Sequence, residues 1–423
     1  MKNLWPNFVY RLKIIGKFVS IQIVVQALSL VSGILLVRTL EQQQYAYFII
    51  ANTMQSTMNL LADIGVSISL SAIGGKVWQD RYRFGQLINT AMRLRYYLAA
   101  ITVPVIAPIL IWMLIHNGAS LIYAVLILIV VLVGLNFQLT ADVLIVVPRL
   151  HSQISRIQKL DLISAFFRLI FLGLGYLTFL NAGVAIASSS LASGLQRFVL
   201  GGWVSENIDT ELPVNNEDKK FILKTIKNTL PSTIFFCFQG QLNIFLISIF
   251  GNTKNIAEIG ALGRISIIFT LINSVMTAII LPSFSRCQSS RILKKRYFQI
   301  LGMFLLFGML LIYFAGMFSS ELLWILGGKY NHLKNELVLM STLALVNSFI
   351  GIMSSLNLSK AWIEYIWIEI PIRLVMQVIL VIFLDISTVK GILLLSLLSN
   401  ISPFLVNGIL TYRGLNTYKT TYT

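Results

Sequence analysis

The stretch ASLIYAVLILIVVLVGLNFQLTADVLIVV, residues 119–147, holds one charged residue, Asp142. About 20 mostly apolar residues suffice to cross a bilayer as a helix, so this run is a membrane span. Eleven more runs of the same kind can be marked out from it: residues 17–37, 44–70, 88–114, 158–179, 183–204, 230–250, 258–282, 297–318, 336–357, 361–384 and 388–411. Short polar breaks such as His116-Asn117-Gly118 and Asn181-Ala182-Gly183 leave room only for tight hairpins between neighbouring spans. Across the 423 residues, 57% are hydrophobic and 12% charged, against roughly 25% charged in an ordinary soluble domain. The N-terminus is basic, but its apolar run continues to about residue 37, too long for a cleaved leader.

The net charge of +17 is distributed between the spans rather than along one stripe, which argues against nucleic acid as a partner. With both termini on the inside, 24 of the 33 Lys and Arg residues fall on the inner side, Arg95 being counted there with the segment before span three. Five lie outside (Arg38, Lys254, Lys329, Lys334, Lys390) and four within spans (Arg168, Arg197, Arg264, Arg373). That bias predicts a multi-pass protein of the inner membrane with cytoplasmic termini. Cys237 and Cys287 stand far apart, and His116, His151 and His332 are scattered, so neither a disulfide framework nor a metal site is expected, and no cofactor.

The one sizeable hydrophilic stretch, 205–229, opens with acidic residues and continues as the amphipathic segment Lys219–Lys227, read as an interfacial helix on an anionic leaflet. The N-terminal residues Leu4, Trp5, Phe8, Leu12 and Ile15, set against Arg11 and Lys13, read the same way. The linker divides the spans six and six, giving an N-terminal bundle over 1–204 and a C-terminal bundle over 230–423. Phe167-Arg168-Leu169-Ile170 and Ile372-Arg373-Leu374-Val375 occupy matching places in spans five and eleven. The expected fold is therefore an all-α polytopic membrane protein, about twelve transmembrane helices in two pseudo-symmetric six-helix bundles.

Charges at membrane depth carry a cost of a few kcal/mol and need a reason. Arg168, Arg264 and Arg373 are the embedded basic candidates, Asp63, Asp142 and Glu369 the acidic ones. Two readings stand. The groups pair and pin helices, as Glu369 and Arg373 four residues apart would. Alternatively the arginines face a central cavity, where guanidinium forks suit a diphosphate. Asn59, Gln241 and Asn243, with Gln22, Gln26, Gln55 and Gln239, place amides in spans one, two and seven, to bond sugar hydroxyls or to bridge helices. Tyr45, Tyr47, Trp203, Trp324 and Trp362 read as an interfacial aromatic belt. Pro231, Pro282 and Pro371 fall at span ends or kinks. No glycine-rich phosphate loop is present and the longest soluble segment is too short for a catalytic domain, so an enzyme is not expected. A sugar-polymerising membrane enzyme would need a larger outer loop than 319–335.

Leu36-Val37-Arg38-Thr39-Leu40, then Tyr45-Ala46-Tyr47 and Leu61-Ala62-Asp63-Ile64-Gly65, resemble the first two spans of polysaccharide flippases in the multidrug/oligosaccharidyl-lipid/polysaccharide exporter superfamily. Ile259-Gly260-Ala261-Leu262-Gly263-Arg264-Ile265 resembles the family's eighth span, and Leu326-Gly327-Gly328-Lys329-Tyr330 the outer loop after the ninth. Leu262 and Gly263 stand where tyrosine and alanine are common, and Asn243 stands near a position that is often acidic. The resemblance implies a flippase carrying an undecaprenyl-diphosphate-linked oligosaccharide from the inner to the outer leaflet, with membrane lipid and a polysaccharide polymerase as partners. Substrate would meet Arg168, Arg264, Arg373, Asn59, Gln241 and Asn243. Asp63 and Glu369 would serve ion coupling. The alternatives are a drug/cation antiporter of the same superfamily, which would favour acidic cavity groups, and a membrane-embedded glycosyltransferase or polymerase. A lipid II flippase, with two further helices, is disfavoured by a count of twelve.

Overall fold

The computed structural model describes residues 5–417 except 207, 210, 211, 277–279, 286, 288, 361, 363 and 365; side chains are described for these residues apart from 5–19, 270, 271, 274, 275, 282, 283, 366 and 417. The expected amphipathic face at Leu4–Ile15 therefore lies outside the described side chains. All described secondary structure is helical. Among the described residues, eight helices are long and apolar enough to cross a membrane, nine if a pair bent by 47° is taken as one span. Two compact units result, residues 27–257 and residues 1–26 with 258–423.

The first unit holds the later part of α1 (Trp5–Thr39), then α2 (Gln42–Ala62), α3 (Val66–Val77), α4 (Arg81–His116), α5 (Leu121–Leu144), α6 (Val146–Leu150), α7 (Ile154–Leu177), α8 (Ala182–Ser205) and α9 (Asn216–Phe250). Helix α2 is the hub, packed by α4, α5, α8 and α9. Tyr45 and Tyr47 are consequently buried rather than placed in an interfacial belt. The Tyr47 hydroxyl donates to the Asn117 carbonyl and accepts from Gln43 Nε2. The α4–α5 connection is the tight hairpin expected: α4 ends at His116, Gly118 takes a left-handed φ of 95°, and Ser120 caps α5. Asn181 likewise caps α8, its side chain accepting from Val184 N at 2.9 Å.

Helix α8 is less apolar than its neighbour α5, carrying Gln196, Arg197 and the serines Ser188, Ser189, Ser190 and Ser193. Three of those hydroxyls bond the carbonyl four residues back and the fourth, Ser190, donates to the Val130 carbonyl of α5, so each of the four has a partner. The small side chains let α8 approach α5 closely: a Cβ on Gly134 would fall on the Ser190 hydroxyl.

The amphipathic segment 219–227 departs from the reading as an interfacial helix. It is the first third of α9, which runs unbroken from Asn216 to Phe250 through Pro231. Its apolar face, Ile222 and Ile226, packs into a cluster with Ile64, Val66, Leu70 and Phe84. Protein, not lipid, covers the segment's inward stripe. Arg83 clamps it by a two-pronged pair to the buried Asp218, at 2.5 and 2.6 Å.

The second unit contains most of α10 (Thr253–Gly263), then α11 (Ile267–Val275), α12 (Leu281–Ser285), α13 (Ser290–Met317), α14 (Ser319–Leu326), α15 (Lys334–Ser359), α16 (Glu369–Phe383), α17 (Val389–Ser399) and α18 (Ile401–Thr417). Helix α15 is its hub, contacted by α11 to α14, α17 and α18. Residues expected as span eight are divided between α10 and α11, with a tight turn at Arg264–Ser266. Among the described residues of the expected span eleven, a 3-10 turn at Ile366–Ile368 leads directly into the 15-residue α16. Trp362, read as belt, lies against the backbone of Gly414, while Trp324 is exposed.

The α2–α3 bend turns on Gly65. Its φ is 70°, and a Cβ there would sit 2.9 Å from the Ile226 backbone nitrogen of α9. Left-handed backbone costs roughly 1–2 kcal/mol for a residue with a side chain, and the close approach adds to it. Gly65→Ala is expected to lower the apparent melting temperature of the detergent-purified protein by several degrees. Gly75→Ala on the same α3, where a Cβ meets nothing within 4 Å, should leave it unchanged or raise it.

Candidate functional site

The deepest charge in the first unit is one that counting by segment misplaces. Arg95 was assigned above to the basic residues before span three. It is 1% exposed, and among the largest fully buried side chains. Its position, fourteen residues into α4, points the guanidinium at the α2–α3 joint and at α5. Nη2 donates to Asp142 Oδ2 and to Asn59 Oδ1, both at 2.8 Å. Nη1 lies 3.6 Å from Asp63 Oδ1. Asn59 closes the ring by donating its amide to Asp142 Oδ2 at 3.0 Å.

Local structure explains how Asp63 arrives there. It is the C-cap of α2, at the start of the three-residue joint that Gly65 completes. Its carbonyl accepts from Val66 N and its carboxylate from the Ser67 hydroxyl, at 2.9 and 2.8 Å. The joint thus fixes the carboxylate beside the guanidinium without needing α2 to continue. Next to the network, the Tyr96 hydroxyl meets the Thr140 hydroxyl at 2.9 Å, another tie between α4 and α5.

Exposure is unequal around this network. The Asp63 side chain is 30% exposed and that of Asp142 46%, while the cation between them is sealed. One guanidinium faces two carboxylates, so one negative charge is left over when both acids are ionised. Arg95 Nε and Nη1 make no hydrogen bond within the protein. The arrangement holds a cation firmly and offers carboxylate oxygen to whatever reaches it from outside.

Of the residues singled out from sequence, the structure gathers Asn59, Asp63 and Asp142 into this network. Arg168 is half-buried on α7, and Gln241 and Asn243 lie on α9. In the second unit Glu369 and Arg373 form the expected i,i+4 pair at 3.6 Å, and Arg373 Nη2 also donates to Asn400 Oδ1 at 3.3 Å. Arg264 stands at the break between α10 and α11. The histidines have structural partners: His116 stacks on Trp112, His151 meets Trp78 edge-on, and His332 Nε2 is 2.8 Å from Glu258 Oε1. Among the described residues no group of three or more His, Cys, Asp or Glu side chains is placed to hold a metal.

The burial asymmetry makes a prediction about which charges matter for folding. Asp63→Asn with Asp142→Asn strands a sealed guanidinium, which costs on the order of 3–5 kcal/mol. Arg95→Met leaves two carboxylates that water can reach, and should cost markedly less. Apparent melting temperatures should rank wild type, Arg95→Met, then the double asparagine variant. The opposite order would mean that the carboxylates, not the guanidinium, are the desolvated partners.

No protein-family profile and no curated protein sequence matches the chain. Solved structures do. A MATE-family multidrug resistance transporter of the MOP superfamily, in an inward-facing conformation, superposes with a TM-score of 0.70 at 16% identity, over 94% of this chain and 96% of its own. The lipid II flippase MurJ, in an inward closed conformation, superposes at 0.72 with 12% identity, over 94% and 87%. A MOP-superfamily transporter from Pyrococcus furiosus, described as having a binding pocket of reverse polarity, gives 0.61 at 16% identity, over 95% and 94%. At such identities the likeness is one of fold: this chain is a multi-pass helical membrane protein with the architecture of MATE transporters and of MurJ.

Proposed function

We propose that the chain is a flippase that moves an undecaprenyl-diphosphate-linked oligosaccharide from the inner to the outer leaflet of the cytoplasmic membrane by alternating access. The observation that carries this reading is an architecture shared with a lipid II flippase over 94% of the chain. Embedded arginine decides between an anionic and a cationic cargo. Arg168, Arg264 and Arg373 would grip the diphosphate, since a planar guanidinium bonds two phosphate oxygens at once. Arg373 is engaged by Glu369 and Asn400 in the conformer described, so binding there requires the phosphate to displace the carboxylate. Gln241 and Asn243 would meet sugar hydroxyls, Asn59 being engaged by Arg95 and Asp142. The polyprenyl tail never needs to leave hydrocarbon.

Asp63 is the coupling carboxylate in this reading. It is one of two acids on a single guanidinium, so taking up a proton or a monovalent cation leaves Arg95 still paired with Asp142. The bias of basic residues toward one side, 23 to five once the buried Arg95 is set aside, supports a reading with both termini in the cytoplasm.

Deletion of the gene should trap lipid-linked repeat units on the inner leaflet, scored with a sugar-specific probe on sealed right-side-out and inverted vesicles. Wild type should restore transfer. Arg168→Ala or Arg264→Ala, expressed at wild-type levels, should slow it roughly ten- to hundredfold, the worth of one charge-assisted bond. Units that reach the outer leaflet but stay unpolymerised in the deletion strain would point to an enzyme acting after translocation. Normal transfer with lost resistance to cationic drugs would favour the antiporter.

A further inference from the structure

The second unit carries a groove of about 440 Å³ on the faces of α13, α15 and α18. Tyr297, Leu301 and Met353 are buried at its floor, and Phe298, Phe404 and Tyr412 stand exposed along its walls. Two glycines open it. Gly302 of α13 and Gly408 of α18 both line the groove, and a Cβ on either meets nothing within 4 Å. Elsewhere on α13 a glycine serves the reverse purpose: a Cβ at Gly308 would run into Leu345. The space beside Gly302 and Gly408 is therefore not a consequence of close helix packing.

The two ends of the groove differ in chemistry. Lys294 and Asn416 mark one end, Leu305 and Phe404 the other. The same Lys294 also lines an adjoining recess with Arg291, Lys295 and Arg296. All four basic side chains are exposed, and among the described residues none of them forms an ion pair. From Lys294 to Leu305 the helix rises about 16 Å, half of the roughly 30 Å hydrocarbon core. An apolar slot one leaflet deep, ending in an uncompensated cationic cluster, matches an amphiphile with one acyl chain in the slot and a negative headgroup at its mouth.

We infer that this groove is a binding site for an anionic glycerophospholipid, with an acyl chain along Gly302 and Gly408 and the phosphate held by Lys294 and Arg291. A basic cluster alone attracts an anionic leaflet without selecting any molecule. The groove that begins at the same lysine converts that attraction into a site for one lipid. The inference uses only the second unit and stands whatever the cargo proves to be.

Native mass spectrometry of the full-length protein, delipidated and titrated with phosphatidylglycerol or phosphatidylcholine, tests it. Wild type should retain one phosphatidylglycerol in preference to phosphatidylcholine. Lys294→Gln with Arg291→Gln should weaken phosphatidylglycerol alone, by about fivefold for each charge removed. Gly302→Leu and, on the opposite wall, Gly408→Leu should each abolish retention of both lipids while leaving the lipid-free melting temperature unchanged. If one glycine variant misfolds, the other and the charge variant decide. Equal binding of both lipids, insensitive to all the variants, would reduce the groove to ordinary lipid-facing surface. A co-purified polyprenyl diphosphate in the groove, displaced by neither phospholipid, would equally overturn the assignment.

Discussion

A guanidinium sealed from solvent inside a membrane protein must bring its own compensation, and the first unit is arranged around that requirement. Arg95 reaches Asp142 of α5, Asn59 of α2 and Asp63 of the α2–α3 joint, so three segments far apart in sequence converge on one cation. The joint follows from the need. A straight helix through residue 63 would continue past the guanidinium. A break completed by a left-handed Gly65 ends α2 at the point where its last carboxylate is wanted, and lets α9 close over the joint at Ile226. Breaking either the cation or the glycine therefore disturbs the same packing.

Around that charge the helices are held by contact rather than by the hydrophobic effect, because lipid is as apolar as a leucine face. Small residues set the distances: Gly134 against Ser190, Gly194 against Phe137, Gly308 against Leu345. Serine supplies them in α8 at little polar cost: Ser188, Ser189 and Ser193 bond their own helix, and Ser190 donates to the Val130 carbonyl of α5. Polar ties also cross the packed interior, as where Asn357 donates to the Asn407 carbonyl and the Tyr297 and Thr411 hydroxyls meet at 2.7 Å. Arg83 with Asp218 fastens the start of α9 to the start of α4, and the Asn215 amide nitrogen donates to Thr90 in the same corner.

Span positions were legible where a run such as 121–135 permits nothing else, though not the breaks inside spans two and eight, and the hairpin at 116–118 because polar residues are scarce enough to mark it. Arg95 was not legible. It lies in Arg93-Leu94-Arg95, close to other basic residues, and a tally by segment assigns both arginines to the surface. A finer reading had one signal: Arg93 and Arg95 are about 200° apart on a helix, so they face opposite ways. Tyr45 and Tyr47 misled for a related reason, since tyrosine suits both an interface and a polar contact between packed helices. The 219–227 segment has the same amphipathic pattern whether its apolar stripe meets lipid or Phe84 and Leu70. Periodicity identifies the stripe; only the tertiary structure supplies the partner.

The pairing of one cation with two acids has a consequence for any carrier that couples movement to an ion. A lone buried ion pair is a poor coupling site, because neutralising its carboxylate strands the cation at a cost of several kcal/mol. Here the cost is avoided. If Asp63 is neutralised, Arg95 keeps its two shortest bonds, to Asp142 and Asn59, and loses only the 3.6 Å contact. What changes is the tension on the α2–α3 joint, whose far side contacts α9. A ligand shifts a two-state equilibrium only by its differential affinity for the two states, and a carboxylate that anchors a bend in one state and is free in the other meets that condition. On the proposed transport reading, the more weakly bound acid is the one that can afford to titrate, and the sealed guanidinium is what makes it safe to do so.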